Sequence, residues 1–135
     1  MENPSPIVFE KVIEVQESDL DQMNHVNNVR YVQWIQDIAK SHWDEATDDF
    51  QKKTFLWVVL SHHIYYKAPA FLGDKIHIRT YIKKSSGVTS IRVVEMHNSI
   101  TKQLLVKAET TWCLLLSDTL KPHRVPQELI SLFIR

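Results

Sequence analysis

From Asn28 to about Thr47 the apolar positions Tyr31, Val32, Ile35, Ile38, Ala39, His42, Trp43 and Ala46 recur at helical spacing, while Gln33, Gln36, Asp37, Lys40, Asp44 and Glu45 take the other face. That pattern predicts a helix of about five turns. Its apolar stripe is too wide for a coiled-coil seam and needs a broad surface to lie on. The rest of the chain has to supply that surface.

Strand patterns do so. Residues 7–17 alternate as a half-buried strand, and Phe55 to Tyr66 is dense in aromatic and β-branched residues. Asp74 to Lys83 puts Ile76, Ile78, Thr80 and Ile82 on one side and Lys75, His77, Arg79, Tyr81 and Lys83 on the other. Lys84-Ser85-Ser86-Gly87 reads as a hairpin turn, followed by strands at about Val88 to His97 and Gln103 to Leu116. Thr47 to Thr54 reads as a polar connection, and Gln127 to Phe133 as a short terminal helix. One strand, a long helix and four more strands bury each other most simply in an α+β domain, with a curled antiparallel sheet wrapped around the central helix. A length of 135 residues suits one such domain over 1–135.

Composition excludes several functions. Sixteen basic residues balance sixteen acidic ones, so the broad positive footprint of a nucleic-acid binder is absent and no nucleic-acid partner is expected. The one cysteine, Cys113, removes a disulfide framework and a cysteine zinc site. His62 and His63 are neighbours on a strand and point to opposite faces, so they make no metal pair alone. With no secretory pattern at the start and no apolar run long enough for a membrane span, a cytoplasmic protein is expected.

The run Ser18 to Trp34 carries the chemistry. Asp19, Asp21, Asn24, His25, Asn27 and Asn28 are crowded immediately before the helix. An Asn at 27 or 28 suits the N-cap, and the N–H groups behind it are unpaired and aligned with the helix dipole. A carboxylate, an imidazole and such N–H groups are the parts that acyl transfer uses. The plainer reading is available for each. Asp21 can cap a turn, His25 can orient the loop, Asn24 can fix it, and Tyr31 with Trp34 can be core aromatics.

The element order and the motif Asp21-x-x-x-His25-Val26-Asn27-Asn28-x-x-Tyr31 resemble the hotdog-fold thioesterases of the 4-hydroxybenzoyl-CoA thioesterase family. The same residues are similar to those of plant acyl-ACP thioesterases. The resemblance implies a hotdog fold and hydrolysis of an acyl thioester of coenzyme A or acyl carrier protein, without metal or redox cofactor. It places the catalytic carboxylate at Asp21, the carbonyl-polarising N–H at Asn28 and a catalytic histidine at His25. Asn24 and Tyr31 become candidate substrate contacts, and Lys84 and Arg92, flanking the third hairpin, candidate partners for the phosphates of coenzyme A. The plant pattern has an asparagine two residues before the histidine, where this chain has Met23, and a glutamate and a cysteine at positions occupied by Ala68 and Pro69. The bacterial chemistry, in which one aspartate acts as base or nucleophile, is therefore the expectation. A homodimer or homotetramer with shared sites is also implied. A non-catalytic acyl-binding subunit and a hotdog hydratase or dehydratase share the fold and stay open at this point.

Overall fold

The computed structural model describes residues 4–135. In chain order the elements are β1 (Phe9–Glu14), α1 (Asn28–Ala46), α2 (Asp49–Thr54), β2 (Phe55–Tyr66), β3 (Lys75–Ser86), β4 (Thr89–Asn98), β5 (Leu104–Leu116) and α3 (Gln127–Phe133). The strands form one five-stranded sheet in the order β1-β3-β4-β5-β2, antiparallel throughout. α1 packs on one face of it, giving the α+β hotdog arrangement.

α1 holds neither Gly nor Pro, and it is tied at both ends. The Asn27 side-chain oxygen accepts from the Val29 N–H at 3.1 Å. At the far end the Thr47 N–H and hydroxyl both donate to the Trp43 carbonyl, at 3.1 and 2.6 Å. Its inward residues Tyr31, Ile35 and Ile38 meet Ile76 and Ile78 of β3, Val94 and Met96 of β4, and Val106 and Ala108 of β5 in one core. Ile35 and Ile38, with 0% and 1% exposure, each contribute about 1.5–3 kcal/mol of burial. A second cluster of Phe55, Leu114, Val125 and Leu129, flanked by Trp43 and Trp57, joins α3 to the other end of the sheet.

Three expectations need correction. The first strand is shorter than 7–17, because the Asp19 carboxylate accepts the Gln16 N–H at 2.8 Å and turns Glu17–Asp19 into a single 3₁₀ turn. The segment 47–54 is a connection only at its start. Asp48 and Gln51 cap each other reciprocally, at 2.7 and 3.0 Å, and start α2. The hairpin turn is Gly87-Val88 rather than Lys84 to Gly87, since a register shift between Ile82 and Lys84 lets β3 run on to Ser86. Gly87 supplies φ +60° there.

Candidate active site

Residues 20–28 form a closed loop at the head of α1. Leu20 and Val26 bridge across it, the Asp21 N–H donates to the His25 carbonyl at 2.7 Å, and the Asn24 N–H donates back to the Asp21 carbonyl at 3.1 Å. Asn24 sits at φ +61°, a conformation that Asn tolerates better than most residues. Inside this loop one oxygen of Asp21, Oδ1, accepts from the N–H groups of Met23 and His25, at 2.8 and 3.1 Å. The aspartate thus holds the backbone of the histidine, and its side chain is exposed to solvent.

Asp19 anchors the loop to the helix. Its buried carboxylate pairs with Arg30 Nε at 3.0 Å, and its carbonyl accepts the Asn27 N–H at 2.8 Å. The first-turn donors are then divided: Asn27 N–H goes to Asp19, Val29 N–H to the Asn27 side chain and Arg30 N–H to the Asn27 carbonyl. Among the described residues the Asn28 N–H has no acceptor. Asp21 and Asn27, the residue before Asn28, line one shallow surface depression with Leu20, Gln22 and Met23.

His25 is half-buried. Its ring meets Phe71 edge-on, with centroids 5.2 Å apart, and its backbone bridges to the same residue. The segment carrying Phe71 is itself fixed from below by Tyr31. The Tyr31 hydroxyl oxygen accepts the Ala70 N–H at 3.3 Å, and its ring packs on Trp34 and Tyr66. Burial raises the Tyr31 pKa, the Ala70 N–H lowers it by a smaller amount, and Asp74 and Tyr66 raise it further. Tyr31 is 3% exposed and belongs to the core.

Lys84 and Arg92 do not join this loop. Lys84 is exposed, but it lies nine residues along β3 from Lys75, about 30 Å from the end next to the loop. Arg92 is not a surface cation of the hairpin at all. Alternation along β4 turns it inward, where it is 5% exposed opposite Ile82 and Thr110. Its Nη1 donates to His42 Nδ1 at 2.9 Å and to Thr80 Oγ1 at 3.1 Å. His42, between the rings of Phe9 and Phe133, is pushed down to about 4 by burial and then by the Arg92 charge. Burial lowers Arg92 to about 10. This buried polar group was missed in the sequence because His42 falls on the apolar stripe and Arg92 sits next to a turn.

The loop and sheet have counterparts in known proteins. Over 84 residues the chain is 33% identical to FadM, the long-chain acyl-CoA thioesterase of Escherichia coli K12, covering 58% of this chain and 61% of that protein. The fold matches that of Slr0204, a 1,4-dihydroxy-2-naphthoyl-CoA thioesterase from Synechocystis, with TM-score 0.81 and 20% identity over 93% of this chain and 94% of the other. YbaW from Escherichia coli, described as a probable thioesterase, aligns with TM-score 0.78 and 26% identity over 91% and 94%. The sequence model of the acyl-ACP thioesterase N-terminal domain matches residues 6–133, almost the full chain, and the chain belongs to that family.

Proposed function

We propose that the chain hydrolyses acyl thioesters of coenzyme A, with acyl carrier protein thioesters as the alternative substrate. The observation that carries this is the acceptor-free Asn28 N–H at the start of α1, one residue past Asn27, which lines a depression together with Asp21. The unpaired N–H and the helix dipole stabilise a developing oxyanion. Asp21 either takes a proton from water as its oxygen attacks the carbonyl carbon, or attacks directly to give an anhydride that water then opens. In both routes the C–S bond breaks and the thiolate leaves. Asp21 keeps Oδ2 for this work while Oδ1 is held by Met23 and His25. His25 positions the carboxylate through its N–H, and Asn24 shapes the turn that presents it.

Several features support a shared site. β2 is an edge strand, and Leu56, Val58, Leu60, Tyr65 and Tyr66 along it are exposed. Such an edge favours pairing with a second copy. Lys84 is too far along β3 to meet phosphates bound near Asp21 of its own chain, so a contact from it would come from a partner. Long-chain acyl-CoA is the first substrate class to try, on the strength of the likeness to FadM.

The test is release of free thiol from acyl-CoA esters of short, long and aromatic acids by the native protein and by Asp21→Asn. Loss of at least about a hundredfold in the variant, with an unchanged circular dichroism spectrum, is the expected result. Turnover that survives the substitution would remove Asp21 from the mechanism.

A further inference from the structure

Along α1 from Gln33 to Asp44, beyond the Asp21 loop, lies a second cavity, of about 640 Å³, between the helix, the start of β2, the inner face of β3, β4 and β5, and α3. That volume is in the range of sites for small organic ligands, roughly 300–1,000 Å³. Its apolar walls include Trp43, Phe55, Trp57, Ile82, Leu129 and Phe133, while the exposed helix residues Asp37, Lys40 and Asp44 line it on the solvent side, with Lys40 and Asp44 paired to each other at 2.7 Å. Trp43 and Trp57 meet edge-on with centroids 5.9 Å apart, and Trp43 stacks parallel to Phe133 at 6.1 Å.

Two hydrogen-bond donors at the sheet side of this cavity lack what they need. Arg92 lines it and is 95% buried, yet among the described residues no carboxylate lies within 4.0 Å of its guanidinium. Its hydrogen-bond partners, His42 and Thr80, are neutral and use one nitrogen, Nη1, and the guanidinium also lies over the Phe133 ring, 5.9 Å from its centre. A buried cation of this kind is costly without a counter-charge. The second donor is the indole N–H of Trp112, which also lines the cavity and is the one buried side-chain polar atom among the described residues without a partner. Both side chains leave the same face of the sheet. Ser90 pairs with Trp112 and Arg92 with Thr110, so Arg92 and Trp112 are diagonal neighbours, about 7 Å apart at their origins.

We propose that this cavity is a binding site for a free organic monocarboxylate, with the carboxylate received by Arg92 and the Trp112 N–H and its apolar body held among Trp43, Trp57 and Phe133. A carboxylate supplies the charge that Arg92 lacks and an acceptor for the indole, and an aryl or alkyl body matches the walls. The site does not use Asp21, so it stands or falls separately from the hydrolase reading.

Three tryptophans line the cavity, which makes their fluorescence a direct readout. The probes are 3-phenylpropionate and octanoate, each titrated beside its neutral primary amide, with calorimetry as the second measurement. The expected result is saturable binding of one or both carboxylates, at least about tenfold tighter than the matching amide, since a hydrogen-bonded charge is at stake. Which acid binds tighter decides between an aryl and an alkyl body. Arg92→Gln abolishes the preference for acid over amide, and Trp112→Phe weakens acid binding while leaving the fold intact by thermal melt. Equal binding of acid and amide, no binding of either acid, or a preference that persists in Arg92→Gln would overturn the proposal. Should Arg92→Gln fail to fold, the acid and amide comparison on the native protein and the Trp112→Phe variant decide.

Discussion

Arg92 Nη1 lies 2.9 Å from His42 Nδ1, and because a guanidinium only donates, the imidazole has to accept. His42 is thereby held neutral, its pKa lowered to about 4 by burial and by the Arg92 charge. A histidine with a folded pKa below its unfolded value binds its proton first in the unfolded chain. Stability is therefore full above about pH 6.5 and is lost as the pH falls towards 4, by roughly 3 kcal/mol in all. His62, lowered by burial, adds in the same direction. Urea midpoints taken across this range should fall for the native protein and fall distinctly less for His42→Gln. An identical slope in the variant would mean that other groups carry the acid sensitivity.

Asp21 combines a backbone task with a proposed chemical one, and two substitutions separate them. Asn keeps an oxygen for the Met23 and His25 N–H groups, whereas Ala keeps none. Asp21→Asn should lose activity with a melting temperature near native. Asp21→Ala should lose activity and also about 1 kcal/mol of stability, the usual worth of such a cap. Equal melting temperatures for the two would show that the turn closes without the carboxylate.

The Tyr31 hydroxyl is the acceptor for a buried N–H at Ala70, 39 positions away. Tyr31→Phe leaves that donor unpaired, at an expected cost of about 1–3 kcal/mol. The 70–74 segment, which carries Phe71 against His25, should then exchange its amide hydrogens faster, with the Ala70 amide leading. Amide exchange followed by nuclear magnetic resonance would detect this, and unchanged protection at Ala70 would count against the role given to the hydroxyl.

Asn27 closes the first turn of α1 through Val29. Asn27→Ala should cost about 1 kcal/mol in denaturant unfolding, and Asn27→Ser much less. If Ala and Ser behave alike, the cap contributes little and Asp19 alone seats the helix.

Much of this architecture was legible in the chain because each element has one dominant period. α1 was expected from Asn28 to about Thr47 and ends at Ala46, and β2 occupies 55–66 as its β-branched and aromatic run suggested. What escaped notice depends on single side chains acting on nearby backbone. Asp19 ends the first strand early, and the Asp48 and Gln51 pair starts α2 inside a stretch that composition alone marks as polar. The Asp48-x-x-Gln51 spacing was a usable signal. Arg92 shows the opposite limit. Its alternation with Val94 and Met96 was readable along β4, but an arginine close to a hairpin is ordinarily solvated, and its destination beside His42 is decided by the packing of α1 on the sheet, between residues 50 positions apart. The motif loop is intermediate: the residue types were readable, but the sharing of donors that leaves Asn28 N–H free is a property of the folded loop.

The strand order β1-β3-β4-β5-β2 also bears on how the molecule assembles in time. β3, β4 and β5 follow one another through short turns, so their pairing closes small loops. By contrast Phe9 must find Thr80, and Phe55 must find Leu116, with α1 and β2 intervening in the first case and two whole strands in the second. Loop-closure entropy makes such late partners slow to arrive. Pulse-labelled hydrogen exchange during refolding should find the β3 to β5 meander protected first and the two outer strands last, with the central helix docking between those events. Until it does, the inner face of the meander is uncovered, and that interval is when this chain is most prone to aggregate.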